Sequence, residues 1–384
     1  MAAYYMIICL IFSFAAMYLT SEGFSSWEIG ILISVSCLAG GILQAAAGRL
    51  ADRDPRWSWK KQLIMYSITA AAVAALRMVI RSRVLEGISY GLLIVLTLVM
   101  MPLVNSACFY YVDCGKKVDF GLARGIGSVS YAAASFMLGR LAGARGDHIL
   151  VVCGFAAFIL MLAAVIIMPY YGYVTDARAE QTETDTRGLA GRYPVFIVMA
   201  AAITLALVFS NMISTYMFNI MEDVGGGPDS MGVALAIAGV SEMPALFLYS
   251  RIQERTGLSS AMLITAACFF FVLRGFLFMA ASGVMMIYFV QLLQSVSYGL
   301  ITAAKANYAH EALPAEENNT GQAVMSMTDS FSIVAGSLIG GLLLSGGGTD
   351  LMLQAGTALA AAGMIVAFIA ARKGKTEGNI NGKR

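Results

Sequence analysis

Charge is scarce in this 384-residue chain: Asp, Glu, Lys and Arg together make up 12% of it, against about 25% in an ordinary soluble domain. Apolar residues account for 59%, which excludes a soluble globular fold. Histidine is nearly absent, with only His148 and His310, so no cluster of the kind an intramembrane enzyme needs is brought to one depth. The six cysteines (Cys9, Cys37, Cys108, Cys114, Cys153 and Cys268) stand singly, without the spacing of a disulfide framework or a zinc site. They read as small packing residues. No Gly-x4-Gly-Lys-Ser/Thr loop is present, nor a soluble domain to hold one, which argues against ATP use. No Ala-x-Ala-like site after a basic start marks the first apolar run as a cleavable signal, so it is expected to be retained. No cofactor, metal or nucleic acid is expected.

What remains is hydrocarbon in long runs. A bilayer crossing takes about 20 apolar residues, and twelve such spans are expected: 4–20, 27–48, 62–80, 86–110, 119–143, 149–170, 193–219, 229–249, 258–279, 283–309, 321–345 and 350–371. The chain is therefore read as an all-α membrane protein. Between the spans, Lys and Arg are distributed unequally. With the N-terminus in the cytoplasm, the inner segments hold Arg49, Arg53, Arg56, Lys60, Lys61, Lys116, Lys117, Arg251 and Arg255 among others, and the outer loops only Arg81, Arg83 and Arg145. By the positive-inside rule both termini are cytoplasmic, and a multi-pass plasma-membrane location is expected, the inner membrane in a Gram-negative cell. The polar stretch 171–192 reads as a solvated cytoplasmic linker. It separates a six-helix bundle over 1–170 from another over 193–371, followed by a cytoplasmic tail over 372–384.

The halves echo each other. Gly48-Arg49-Leu50-Ala51-Asp52-Arg53 after span 2 meets Ser250-Arg251-Ile252-Gln253-Glu254-Arg255 after span 8, an offset of 202 residues. Ser135-x3-Gly139 parallels Gly336-x3-Gly340 in the same way. Two copies of one six-helix unit explain this economically, and paired bundles of this kind occur in secondary transporters. With Gly48, Asp52, Arg53, Arg56, Lys60 and Lys61 at this position, the chain resembles the major facilitator superfamily, which implies two pseudo-symmetric six-helix bundles. Where that pattern has Gly, this chain has Asp54 or Pro55, so its turn differs. Further likeness lies in Tyr4-Tyr5, the run Gly23 to Gly30, Gly121-x2-Arg124-x2-Gly127-Ser128 and Ser241-Glu242-Met243-Pro244. These resemble the branch that contains lactose permease and nucleoside permeases.

Charged side chains inside a bilayer normally face a bundle interior or a water-filled cavity. Arg124 lies in a Gly-rich run at the start of span 5, and its fork of donors suits hydroxyl, carboxylate or phosphate groups. The resemblance implies a sugar-binding arginine there; a structural ion pair is the alternative. Glu242 lies in mid-span 8, two residues before the helix-kinking Pro244, and Arg274 lies at similar depth on span 9. By resemblance they are the acid that links solute to proton and an arginine that assists deprotonation, against a permanent ion pair. The helix 10 triad of lactose permease is missing, with Gln291, Gln294 and Ser297 in its place. Lys305 and Asp329 are read as a pair that forms either a gate or a substituted coupling site. Tyr131 and Asn211 are further cavity candidates, each equally suited to a helix–helix hydrogen bond. The hinge residues Gly48, Asp52, Arg53, Glu254 and Arg255 are assigned to a cytoplasmic gate, with topology anchoring as the alternative. Trp57 and Trp59 are read as an interfacial belt, and Arg77 and Arg140 as snorkelling to the outer interface.

These residues point to a secondary transporter of a small polar organic solute, a sugar, nucleoside or similar, coupled to protons by symport and working by alternating access as a monomer. A proton-driven exporter of drugs or metabolites is the alternative, and a membrane receptor or enzyme a more distant one.

Overall fold

The computed structural model describes residues 1–53, 57–80, 82–116, 120–171, 186–314 and 317–381. Every regular element among them is a helix. In hydrocarbon this follows from the backbone, because a helix satisfies its own N–H and C=O groups where no water can do so. The elements are α1 (Ala2–Ile8), a π-helical turn (Cys9–Ser13), α2 (Ala15–Ser21), α3 (Ser26–Arg53), α4 (Trp59–Arg77), α5 (Arg83–Asp113), α6 (Phe120–Arg145) and α7 (Ile149–Ile167). They continue as α8 (Thr186–Arg192), α9 (Pro194–Thr215), α10 (Met217–Asp223), α11 (Pro228–Thr256), α12 (Ser260–Met279) and α13 (Val284–Leu292). A second π-helical turn (Ser295–Gly299), α14 (Leu300–Ala312) and α15 (Asn318–Asn381) complete the chain.

Eight helical stretches among the described residues are long and apolar enough to cross a membrane, or nine when α1 and α2, bent by 50° at Phe14, count as one. One of the eight runs from Thr320 to Lys373. Its 54 residues would extend about 80 Å as one rod, well beyond a hydrocarbon core of about 30 Å. The break at Gly347 and Gly348 resolves this, since Gly348 has φ +71°, where a side chain is strained. Two further expected spans form the helices α4 and α6, which are not among the eight.

The chain divides into two compact units. One comprises Met1–Gln181 with Thr215–Val240, and the other Thr182–Ser214 with Ser241–Arg384. In the first, α3 packs on α5, α4 on α5 and α7, and α1 on α6. In the second, α12 packs on α14 and α15. Close backbone approaches occur where glycine removes the side chain. In the first unit a Cβ on Gly139 would stand 2.6 Å from the Pro228 carbonyl, and one on Gly232 2.5 Å from that of Ser135. In the second, a Cβ on Gly336 of α15 would meet the Val208 carbonyl of α9 at 2.8 Å. Such contact through small residues is how helices associate where the hydrophobic effect gives no preference.

Three local expectations change. The end of the 171–192 linker is helical, with Leu189 of α8 buried and Arg192 ion-paired to Glu317. Trp59 is buried among Tyr110, Tyr111 and Tyr170, whereas Trp57 is exposed. Arg77 is buried and ion-paired with Glu86 instead of extending into solvent.

Candidate functional site

The second unit holds a polar centre built from α11, α12 and the broken helix formed by α13, its π turn and α14. Arg274 on α12 is 2% exposed. Its Nη1 donates to Gln294 Oε1 at 2.5 Å and to Ser297 Oγ at 3.1 Å, and its Nη2 to Gln291 Oε1 at 2.7 Å. Gln294 then donates through Nε2 to Glu242 Oε1 at 2.9 Å. Arg274 and Glu242 are thus linked through a neutral amide. The Nε–H of Arg274 has no acceptor among the described residues.

Local structure explains how these groups converge. Pro244 lies inside α11 and cannot donate its backbone nitrogen to the preceding turn. Gly299 closes the π turn, and a Cβ there would stand 3.0 Å from the Glu242 carbonyl, so α11 and the π turn sit in close contact. A π turn carries one extra residue and re-aims the side chains around it. Here Gln294 immediately precedes the turn and Ser297 lies within it. In the sequence Gln291, Gln294 and Ser297 stand only as replacements for a missing triad; the intramembrane Arg274 is the signal that they have a partner.

Further along the same unit, Lys305 Nζ lies 2.5 Å from both carboxylate oxygens of Asp329. Lys305 is buried, with its side chain 9% exposed, whereas that of Asp329 is 44% exposed. Asn211 donates to Ser332 Oγ at 3.0 Å and to the Leu207 carbonyl, a helix–helix bond. Glu254 and Arg255 are exposed at the end of α11. The neighbouring Gln253 donates instead to Glu311, which also accepts from the backbone and side chain of Ser260. Glu311 thereby ties α11, the start of α12 and α14 together.

In the first unit, Arg124 is exposed and donates from Nη1 to Tyr5 Oη at 2.7 Å. Tyr131 shares a 2.7 Å hydrogen bond with Ser13 in the π turn. Gly48, Asp52 and Arg53 fall in the last turns of α3, with their side chains outside the described ones.

A second buried charge centre lies in the first unit. Arg77, the last residue of α4, bonds Glu86 of α5 through Nε at 2.7 Å and Nη2 at 2.6 Å, with side-chain exposures of 3% and 5%. Tyr18 Oη donates to the same carboxylate oxygen at 2.9 Å. The guanidinium carbon lies 4.8 Å from the ring centres of both Tyr18 and Tyr90, within cation–π range. This corrects the snorkelling expectation: Glu86, nine residues on, reaches back across the loop and makes burial affordable.

An all-helical fold with many apolar helices long enough to cross a bilayer, and charge centres enclosed among them, defines a multi-pass membrane protein. Residues 3–355 match the MFS_1-like family, and the chain belongs to that family of the major facilitator superfamily. It is 26% identical over 346 residues to a maltose permease of Geobacillus stearothermophilus, covering 87% of this chain and 83% of the relative. The fold is similar to the crystal structure of the nucleoside transporter NupG, with a TM-score of 0.78, 16% identity and 96% of each chain covered. A peptide transporter, POT, in complex with alafosfalin superposes with a TM-score of 0.75 at 12% identity, over 97% of this chain and 92% of that one.

Proposed function

We propose that this protein is a secondary active transporter of a small polar organic solute, moved together with protons by alternating access. The observation that carries the proposal is the Glu242–Gln294–Arg274 centre. A carboxyl held among apolar helices binds and releases a proton at low cost only where its neighbours tolerate both states, and a guanidinium held by neutral amides keeps donors for a solute's oxygen atoms. The solute classes named by the relatives, a sugar, a nucleoside and a peptide, all carry such acceptors. Arg124, Tyr131 and Asn211 complete the proposed solute-contacting set, and Lys305 with Asp329 the coupling set. In this reading twelve spans form two six-helix repeats over 1–170 and 193–371, with both termini in the cytoplasm. Gly48, Asp52, Arg53, Glu254 and Arg255 serve as a cytoplasmic gate, and the protein works as a monomer without enzymatic activity.

The test starts from purified protein screened for thermal stabilisation by sugars, nucleosides and dipeptides, since a ligand bound to the native state raises its apparent stability. The stabilising solute is then offered to proteoliposomes. Accumulation above equilibrium under an inside-alkaline pH gradient, abolished in Glu242→Gln, is the expected result. Gradient-driven efflux instead establishes the exporter reading.

A further inference from the structure

Gln294 stands between opposite charges, and only one orientation of its amide suits them. Its oxygen accepts from Arg274 and its nitrogen donates to Glu242. Turned over, it would set N–H groups against the guanidinium and oxygen against the carboxylate. The chain also contains a buried arginine handled differently. Arg77 is neutralised directly by Glu86, which accepts a hydrogen bond from its Nε, lies in ion-pair contact with its Nη2 and accepts another hydrogen bond from Tyr18, an arrangement with no neutral link to interrupt. Arg274 has Gln291, Gln294 and Ser297 around it, and Gln294 links it to the carboxylate of Glu242.

From this difference, and resting on the reading of Glu242 as the proton carrier, we infer that Gln294 is a positioning residue that couples the protonation of Glu242 to the hydrogen-bonding freedom of Arg274. With Glu242 ionised, the amide is polarised between the two charges, and polarised chains of hydrogen bonds reinforce one another. When Glu242 takes up a proton, the bond from Gln294 Nε2 becomes a neutral one, about half as strong. The carbonyl of Gln294 then loses the added polarisation that the carboxylate lent to its bond with Nη1. The proton stays on Glu242 and none passes through the amide. Arg274 is left as a buried cation among neutral groups, with its Nε–H lacking an acceptor among the described residues. In that state it gains most from a hydroxyl, carbonyl or carboxylate oxygen of the solute. The charged group acting on Glu242 from α12 is Arg274; the broken helix α13–α14 contributes the neutral Gln291, Gln294 and Ser297, and further along it Lys305 is already matched by Asp329 of α15. Coupling in this site therefore needs no titrating side chain at position 294.

The experiment needs no solute. Purified protein is titrated with pH under infrared difference spectroscopy, with the Glu242 carboxyl band assigned by its loss in Glu242→Gln and the Arg274 guanidinium band by its shift in Arg274→Lys. In the wild type both bands change with one midpoint. In Gln294→Met, close in volume but without the amide, the carboxyl still titrates and the guanidinium response falls by more than half. Gln294→Asn, one methylene short of spanning both partners, gives the same result should the methionine variant not fold, with thermal melting as the check. A guanidinium response of wild-type size in a folded variant overturns the relay alone. Absence of any carboxyl titration assigned to Glu242 overturns the proton-carrier reading itself.

Discussion

The two buried arginines are held in opposite ways, Arg77 by a carboxylate and Arg274 by neutral amides and a hydroxyl. Arg274 was recognisable because a guanidinium in the middle of an apolar run has few explanations. Its partners were not, because glutamine and serine at intramembrane positions are commonplace helix–helix contacts. Arg77 was misread for a related reason: it ends its helix, where a long side chain ordinarily reaches water, and nothing in the local pattern indicates that Glu86 folds back onto it. The energetics of the Arg77–Glu86 pair are correspondingly sharp. Removing one partner leaves an uncompensated buried charge, which costs about 3–5 kcal/mol. Arg77→Leu or Glu86→Leu alone is expected to be strongly destabilising in thermal unfolding of the detergent-solubilised protein. The double replacement is expected to recover much of the loss, because two apolar groups of similar volume leave no orphan.

At the scale of elements, most helix positions were legible from the lengths of the apolar runs, and the deviations within them were not. Neither π turn has a hydropathy signature. Each is held by contacts from another helix: Tyr90 Oη donates to the Ile11 carbonyl in the first, and Gly299 lets α11 close on the second. The seven residues of α8 were read as linker because their composition is polar and glycine-containing; a single buried leucine and one ion pair hold them as a helix. The Ser135-x3-Gly139 spacing was visible as a repeat element, but its partner on α11 was not. With carbonyl oxygens as close as they are at Gly139 and Gly232, an added side chain forces α6 and α11 apart. Gly139→Leu is expected to lower stability by about 1–3 kcal/mol, and Gly139→Ala by less, as read by thermal unfolding.

For the whole molecule, the fold class was readable because membrane proteins obey one severe constraint: in hydrocarbon the backbone must satisfy its own polar groups. Residues 215–240 group with the first unit, through contacts such as Gly139 with Gly232 that no repeat pattern encodes. Orientation rests on the unequal distribution of Lys and Arg, and it is directly measurable. In a cysteine-depleted background, Asp147→Cys is expected to react with a membrane-impermeant maleimide on intact cells, and Arg255→Cys only after permeabilisation. The reverse pattern inverts the topology. The turn at Cys9–Ser13 has a consequence of another kind. An α-helix advances about 100° per residue, and a π turn amounts to one inserted residue. Deleting a single residue there would remove the insertion and rotate everything before it by that angle. Tyr4 would lose the Thr97 carbonyl and Tyr5 would lose Arg124, so this stretch is intolerant of a change in length at positions where side-chain identity alone matters much less.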